Sequence, residues 1–133
     1  MTPRLWLVDD NAFDVTLLRR FFNESALRPL VEVLTDGQAV LDALAEVGED
    51  RRPAPDLIIL DINLPKLSGL EALAQIRGGV AAGVPVVVLS TSRSPEDAAR
   101  AAALSAAYVR KPARLAGYDD VVGQIEDHWR AAQ

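Results

Sequence analysis

The sequence predicts an α/β fold: a doubly wound, five-stranded parallel sheet with five helices. Five short apolar runs alternate along the chain with five segments whose apolar residues recur every three or four positions, as on one face of a helix. The central runs are apolar throughout rather than alternating, which is typical of parallel strands covered by helices on both faces. Such a sheet is built from right-handed strand–helix–strand crossovers.

The first half of the chain contains three of the strands and two of the helices. Strands are predicted at residues 5–8, 31–34 and 57–60. The first and third strands each stop abruptly at an aspartate. The first helix is predicted over residues 14–23, and the second helix ends near Gly48. Residues 49–55, which are rich in charge and proline, form the loop before the third strand.

In the second half, capping residues mark where helices begin. Ser68 with Glu71 forms a capping box, so the third helix starts there and runs to about residue 77. Ser94, followed by a proline and two acids, starts an alanine-rich fourth helix. Strands are predicted at residues 85–89 and 108–110. The last helix carries apolar residues at helical spacing: Tyr118, Val121, Val122, Ile125 and Trp129.

Composition excludes several classes of function. A chain of 133 residues, 50% apolar and 25% charged, predicts one globular domain with no room for an output domain. The absence of cysteine excludes disulfides and thiolate metal sites. A net charge of −5 has the wrong sign for holding nucleic acid directly. Because no apolar run approaches the ~20 residues of a membrane span and no signal peptide is evident, we expect a cytoplasmic protein without membrane contact.

Polar side chains follow four of the five predicted strands. Asp9 and Asp10 end the first strand, Asp61 the third, Ser90 the fourth and Lys111 the fifth. The carboxyl ends of parallel strands meet at one edge of the sheet, where doubly wound folds bind their ligands. One aspartate at a strand end is most often a turn former, but convergence of all these residues predicts a functional site.

Electrostatics indicate what this cluster binds. Two carboxylates ~4 Å apart repel each other by about 4 kcal/mol at an effective dielectric constant of 20, and one lysine cannot neutralise three of them. A cation is therefore required. Because the ligands are all oxygen, with no histidine or cysteine nearby, the expected ion is Mg²⁺. Carboxylates, Mg²⁺, an ammonium and a hydroxyl suit a phosphoryl group, with an aspartate as nucleophile.

These motifs together resemble the receiver domains of two-component response regulators, over nearly the whole chain. The matching residues are the pair Asp9-Asp10, the run from Asp61 to Pro65 with Gly69, and then Ser90-Thr91, Tyr108 and Lys111-Pro112. The resemblance implies a flavodoxin-like sheet with strand order 2-1-3-4-5.

The resemblance also implies roles for the acidic residues. Asp61 would accept a phosphoryl group from a histidine kinase. Asp10, Asp61 and the Asn63 carbonyl would hold Mg²⁺, and Asp9 would act mainly through the water shell of the metal. The same residues would support self-catalysed phosphotransfer and slow autodephosphorylation, so we expect a phosphoacceptor rather than an enzyme.

Three further residues take roles from the same resemblance. Ser90 would hydrogen-bond the phosphoryl group, and Tyr108 would be the aromatic switch. Lys111 would couple phosphorylation to conformational change, because its ammonium can pair with the added charge. The chain departs from the family at residues 104–107, where many receivers have a glycine turn before the fifth strand.

Details of the sequence resemble a narrower group, the single-domain regulators paired with bacterial phytochromes. They are the Asp-Asn-x-x-Asp run from Asp10 to Asp14, Leu-Ser-Thr-Ser at 89–92 and Ile-Glu-Asp-His-Trp at 125–129. The resemblance implies a bacteriophytochrome kinase upstream and an unknown protein downstream. We also expect a homodimer through the fourth helix, fifth strand and fifth helix, because Tyr118 and Trp129 are not expected to be fully buried.

Other classes of function remain as alternatives. An aspartyl-phosphate phosphatase or phosphotransferase could use Asp61 as its nucleophile. Phosphatases of the haloacid-dehalogenase type, however, need a second aspartate two residues on, where this chain has Asn63. A flavin-binding or nucleotide-binding module needs a phosphate-cradling loop after the first strand, and the acidic pair there would repel phosphate.

Overall fold

The computed structural model describes residues 2–133 and confirms the predicted fold class. One parallel sheet has the order β2-β1-β3-β4-β5. Its strands are β1 (Arg4–Val8), β2 (Leu30–Leu34), β3 (Leu57–Leu60), β4 (Val86–Ser90) and β5 (Ala107–Arg110). The helices that connect and follow them are α1 (Ala12–Asn23), α2 (Gly37–Gly48), α3 (Gly69–Arg77), α4 (Pro95–Ala103) and α5 (Gly117–Ala131).

The sheet separates two apolar cores. Trp6 and Ile58 face the side covered by α2, α3 and α4, whereas Leu5, Leu7 and Ile59 face α1 and α5. Both faces of β1, β3 and β4 are therefore withdrawn from water, which explains why their sequences are continuously apolar. The carboxyl ends of these strands remain the open edge of the sheet.

Helix α1 begins two residues earlier than the sequence predicted, because Asn11 caps it. The Asn11 side chain accepts hydrogen bonds from the backbone N–H groups of Phe13 and Asp14, at 3.0 and 3.1 Å. Asp14 consequently lies within the first turn of the helix instead of starting it. This small difference decides where the Asp14 carboxylate points.

Helix α5 packs against α1 more closely than expected at its first turn. Tyr118 was expected to be incompletely buried, but it is only 5% exposed. Its ring stacks on that of Phe21 in α1, with centroids 6.4 Å apart and planes at 17°. The expectation for Tyr118 was wrong, while Trp129 at the other end of α5 is half-buried.

Gly69 shapes the loop that follows Asp61 at the open edge of the sheet. A Cβ atom on Gly69 would overlap the carbonyl of Asp61, and the Gly69 N–H donates to the Ile62 carbonyl at 2.8 Å. Only glycine lets the start of α3 approach this closely. The loop that follows Asp61 is thereby fixed against the body of the domain.

The loop before β5, where a family glycine is missing, turns at Ser105 in a left-handed conformation with φ of 57°. A non-glycine residue adopts this conformation at a cost of about 1 kcal/mol. Arg77 holds the loop from α3, because its guanidinium donates to the carbonyls of Leu104 at 2.7 Å and Ser105 at 3.1 Å. The same group also donates to the carbonyls of Ala82 and Val84.

No helix within residues 2–133 has both the length and the apolar character needed to cross a membrane.

Candidate functional site

The ammonium of Lys111 lies at the centre of the polar cluster at the carboxyl edge of the sheet. Its Nζ atom is 2.8 Å from Asp9 Oδ2, 2.8 Å from Asp14 Oδ2 and 3.0 Å from Asp61 Oδ2. The lysine side chain is only 7% exposed. An ammonium has three N–H donors, and here each of them serves one carboxylate.

The backbone positions these residues by continuing the sheet beyond the strand ends. Three N–H groups donate to the neighbouring strand: Asp9 to Leu34 at 3.0 Å, Asp61 to Val8 at 2.9 Å and Lys111 to Ser90 at 2.8 Å. Each site residue is therefore held in register with the sheet although it lies outside the strand. This explains why residues from distant parts of the sequence converge so closely.

The loops then fix the second oxygen of two carboxylates. Asp9 Oδ1 accepts from the N–H of Asn11 at 2.9 Å, and Asp61 Oδ1 accepts from the N–H of Asn63 at 3.2 Å. Both carboxylates thus have one oxygen on a loop amide and the other on Lys111. Such charge-assisted hydrogen bonds stabilise the ionised form.

Burial and charge act in opposite directions within the cluster. Burial raises the pKa of Asp9 above its usual value, although hydrogen bonds from Lys111 and Asn11 oppose the rise. Burial alone would lower the pKa of Lys111, but its hydrogen bonds to Asp14 and Asp9 outweigh burial and raise that pKa. Three carboxylates therefore share the single positive charge of one ammonium.

The donor set fits a divalent cation. Asp9, Asp10 and Asp61 each offer one carboxylate oxygen, and these three atoms lie within 4.8 Å of one another. Asp10 is exposed while the other two are buried, so the group opens to solvent on one side. Hard oxygen ligands of this kind suit Mg²⁺ and Mn²⁺. The Asn63 carbonyl stays a predicted ligand.

Ser90 and Tyr108 both converge on the loop between β4 and α4. Ser90 is fully buried, and its Oγ accepts from the N–H of Ser92 at 3.1 Å. The hydroxyl of Tyr108 donates to the Ser92 carbonyl at 2.9 Å. The Ser92 hydroxyl in turn donates to Asp97 at 2.8 Å, in the first turn of α4. These contacts connect β5 to α4 through one loop residue.

Asp14 belongs to the cluster although the sequence did not predict it as a site residue. Its Oδ2 accepts from Lys111, and its Oδ1 accepts from the hydroxyl of Tyr118 at 2.7 Å. The available signal was Asn11, because an asparagine cap places Asp14 in the first turn of α1, beside the end of β1. The contact with Tyr118 had no signal in the periodicity of either helix.

The fold and this cluster together define a phosphoacceptor domain of two-component signalling. Residues 5–119 match the response regulator receiver domain family, and the chain belongs to that family. The resemblance inferred from the motifs is therefore confirmed.

Two relatives match almost the full chain. It is 36% identical over 125 residues to the probable methanogenesis regulatory protein FilR2 of Methanothrix harundinacea, which covers 92% of this chain and 81% of that protein. It is 35% identical over 126 residues to the response regulator Rcp1 of Synechocystis, covering 92% and 86% respectively.

Solved structures give the same result. The phosphorylated cyanobacterial phytochrome response regulator RcpA superposes with a TM-score of 0.89 at 34% identity, over 100% of this chain and 97% of that one. The Mn(2+)-bound form of Rcp1 gives 0.86 at 34% identity, over 96% and 94%. The bacteriophytochrome response regulator RtBRR gives 0.75 at 32% identity, over 94% and 78%. The similarity to phytochrome-associated regulators is confirmed.

Replacing Lys111 with alanine is expected to lower the free energy of unfolding by about 3 kcal/mol at pH 7, because the carboxylates lose the counter-charge that they share. The loss should shrink towards about pH 4. Asp9 has a raised pKa in the folded state, so protonation as the pH falls favours the folded state and removes repulsion. Urea unfolding in chelator-containing buffer at both pH values measures the effect.

The other lysine of the chain provides the control for this experiment. Lys66 is 68% exposed and lies 3.4 Å from Asp36, so Lys66→Ala should change the free energy of unfolding by no more than about 0.5 kcal/mol. Equal stability of the two alanine variants at pH 7 would contradict the central role of Lys111.

Proposed function

We propose that this chain is a receiver that accepts a phosphoryl group on Asp61 from a histidine kinase and signals by changing its protein-contact surface. The observation that carries the proposal is the Lys111 ammonium, held 3.0 Å from the Asp61 carboxylate at the end of β3. The similarity to the response regulator Rcp1, of which this chain spans 86%, supports the same class of function.

The proposed chemistry is one phosphoryl transfer. A carboxylate oxygen of Asp61 attacks the phosphorus, and a P–O bond forms as the P–N bond to the kinase imidazole breaks. The imidazole leaves with the electron pair and takes a proton from solvent. Ser90 donates a hydrogen bond to a phosphoryl oxygen, and Lys111 pairs with the added charge of about −1.5 to −2.

The first test uses acetyl phosphate and Mg²⁺, with the intact mass as the measurement. The wild-type chain is expected to gain one labile phosphoryl group, and Asp61→Asn should gain none, because an amide cannot act as this nucleophile. Asp56→Asn is the matched control, since Asp56 lies at the opposite end of β3 and accepts from the Arg4 N–H instead. Undiminished labelling of Asp61→Asn would place the acceptor elsewhere.

The proposed cation is Mg²⁺, held by Asp9, Asp10 and Asp61 with the Asn63 carbonyl. The support is the group of three carboxylate oxygens within 4.8 Å and the existence of an Mn(2+)-bound form of the relative Rcp1. When bound, the ion supplies positive charge that offsets the repulsion among these carboxylates.

Asp10→Ala should therefore change stability in opposite directions with and without the cation. Without Mg²⁺ the variant is expected to melt at a higher temperature than the wild type, because one of the clustered negative charges is gone. With millimolar Mg²⁺ only the wild type should gain stability, since binding stabilises a site that the variant lacks. Asp127→Ala, an exposed acid on α5, is the control. A variant that gains stability from Mg²⁺ like the wild type refutes the ligand assignment.

The proposed kinase is a bacteriophytochrome, and the proposed target is a further protein in the cytoplasm. The similarity to RcpA and RtBRR, both regulators of phytochrome systems by name, supports the kinase. A net charge of −5 favours a protein target over direct contact with nucleic acid.

We also propose a homodimer through α4, β5 and α5. The support is the chain of hydrogen bonds from Tyr108 through Ser92 to Asp97, which connects β5 to α4 on this face, and the half-buried Trp129. Exposed alanines on α4 allow a second copy to approach closely: Ala99, Ala102 and Ala103. A face that pairs with itself closes as a two-fold dimer.

Sedimentation at micromolar concentration tests the dimer. A dimer is expected for the wild type, and Trp129→Ala should shift it towards the monomer, because it removes apolar area from the interface. Phe13→Ala truncates an exposed aromatic ring on α1, outside the proposed interface, and should leave the dimer intact. A monomer both before and after acetyl phosphate treatment would sink the proposal.

A further inference from the structure

We propose that Asp14 is a positioning residue that holds Lys111 before phosphorylation and passes phosphorylation of Asp61 to helix α5 through the hydroxyl of Tyr118. The inference rests on the proposed function, because it takes Asp61 as the phosphoacceptor. Asp14 and Tyr118 form the route from the site to α5.

The first step is a change in where negative charge lies. In the unmodified site, the three donors of Lys111 are divided among Asp9, Asp14 and Asp61. Phosphorylation converts the Asp61 carboxylate to a neutral acyl group and moves the charge to the phosphoryl oxygens, which carry about −1.5 to −2. The position of lowest energy for the ammonium therefore moves towards the phosphoryl group.

The second step is the release of one carboxylate by Lys111. Asp9 is only 2% exposed, so losing its ammonium partner would leave a buried carboxylate oxygen, Oδ2, without its hydrogen-bond donor. Asp14 is 15% exposed at its side chain and already has a second donor, the Tyr118 hydroxyl. Asp14 is the partner that costs least to release, and its carboxylate is free to move.

The third step carries this movement to α5. Tyr118 lies in the first turn of α5 and donates to Asp14 Oδ1 at 2.7 Å, while Lys111 holds the opposite oxygen of the same carboxylate. Burial raises the pKa of Tyr118, and Asp14 adds to the rise, so the hydroxyl remains a donor. The ring stacks on Phe21, and the whole α1–α5 contact therefore shifts with Asp14.

This route is separate from the contacts of Tyr108. Tyr108 reaches α4 through Ser92, on the face of the sheet that α2, α3 and α4 cover. Tyr118 belongs to the opposite core, with α1. The hydrogen bonds of the two tyrosines therefore lie on opposite faces of the sheet, and only that of Tyr118 reaches a carboxylate bound by Lys111.

Amide hydrogen exchange of α5 tests the inference on the full chain, before and after treatment with acetyl phosphate and Mg²⁺. The intact mass is recorded from the same samples. In the wild type, phosphorylation should change α5 exchange rates about fivefold, the factor expected for one hydrogen bond. Tyr118→Phe keeps the ring but not the hydroxyl, and should take up the phosphoryl group with a change below about twofold.

Two further variants separate coupling from a structural role. Asp14→Asn keeps an acceptor for Tyr118 but loses the charge that holds Lys111, so its unphosphorylated α5 should exchange like that of the phosphorylated wild type. Asp120→Asn removes an exposed acid from the same turn of α5 and should keep the full difference. A purely structural role would speed exchange in both states of Tyr118→Phe and leave their difference unchanged.

The outcomes distinguish the two proposals. A wild type that gains no phosphoryl mass overturns the proposed function, and this inference with it. A phosphorylated wild type with unchanged α5 exchange, or a Tyr118→Phe variant with an undiminished change, overturns only the roles of Asp14 and Tyr118.

Discussion

A single ammonium surrounded by three carboxylates is the constraint on which the functional edge of this domain depends. Lys111 joins the end of β5 to the ends of β1 and β3 and to the first turn of α1. One positive charge cannot balance three carboxylates, so the site retains an excess of negative charge within a partly buried space. That excess is what makes a cation binding site favourable, and it makes the state of the domain sensitive to any change in charge on Asp61.

Residues at the open edge of the sheet make hydrogen bonds on both faces of the sheet. The sheet is one layer thick, and the residues at its open edge contact loops and helices on either side. Ser92 and α4 lie on one side, reached by Tyr108, and α1 with the start of α5 lies on the other, reached by Asp14. Within the described residues, both connections are made of hydrogen bonds between 2.7 and 2.9 Å, which respond to small movements of their partners.

Most of the fold and much of the site could be predicted because both depend on local patterns. Apolar runs define strands, and topology then places the residues that follow them at one edge, which located Asp9, Asp61 and Lys111. The burial of Tyr118 could not be predicted, because it depends on packing against a helix about a hundred residues away in the sequence. For Asp14, the Asn11 cap was a local signal for its place in the first turn of α1, but its contacts with Lys111 and Tyr118 are tertiary and are not shown by spacing.

In the turn before β5, Ser105 adopts a left-handed backbone conformation that glycine adopts more readily. Ser105 tolerates its left-handed conformation beside an arginine that binds the carbonyls on either side of the turn. Arg77 and the turn at Ser105 therefore form one structural unit. A relative with glycine at this turn would have less need of an arginine on α3, so we expect the two positions to covary among relatives.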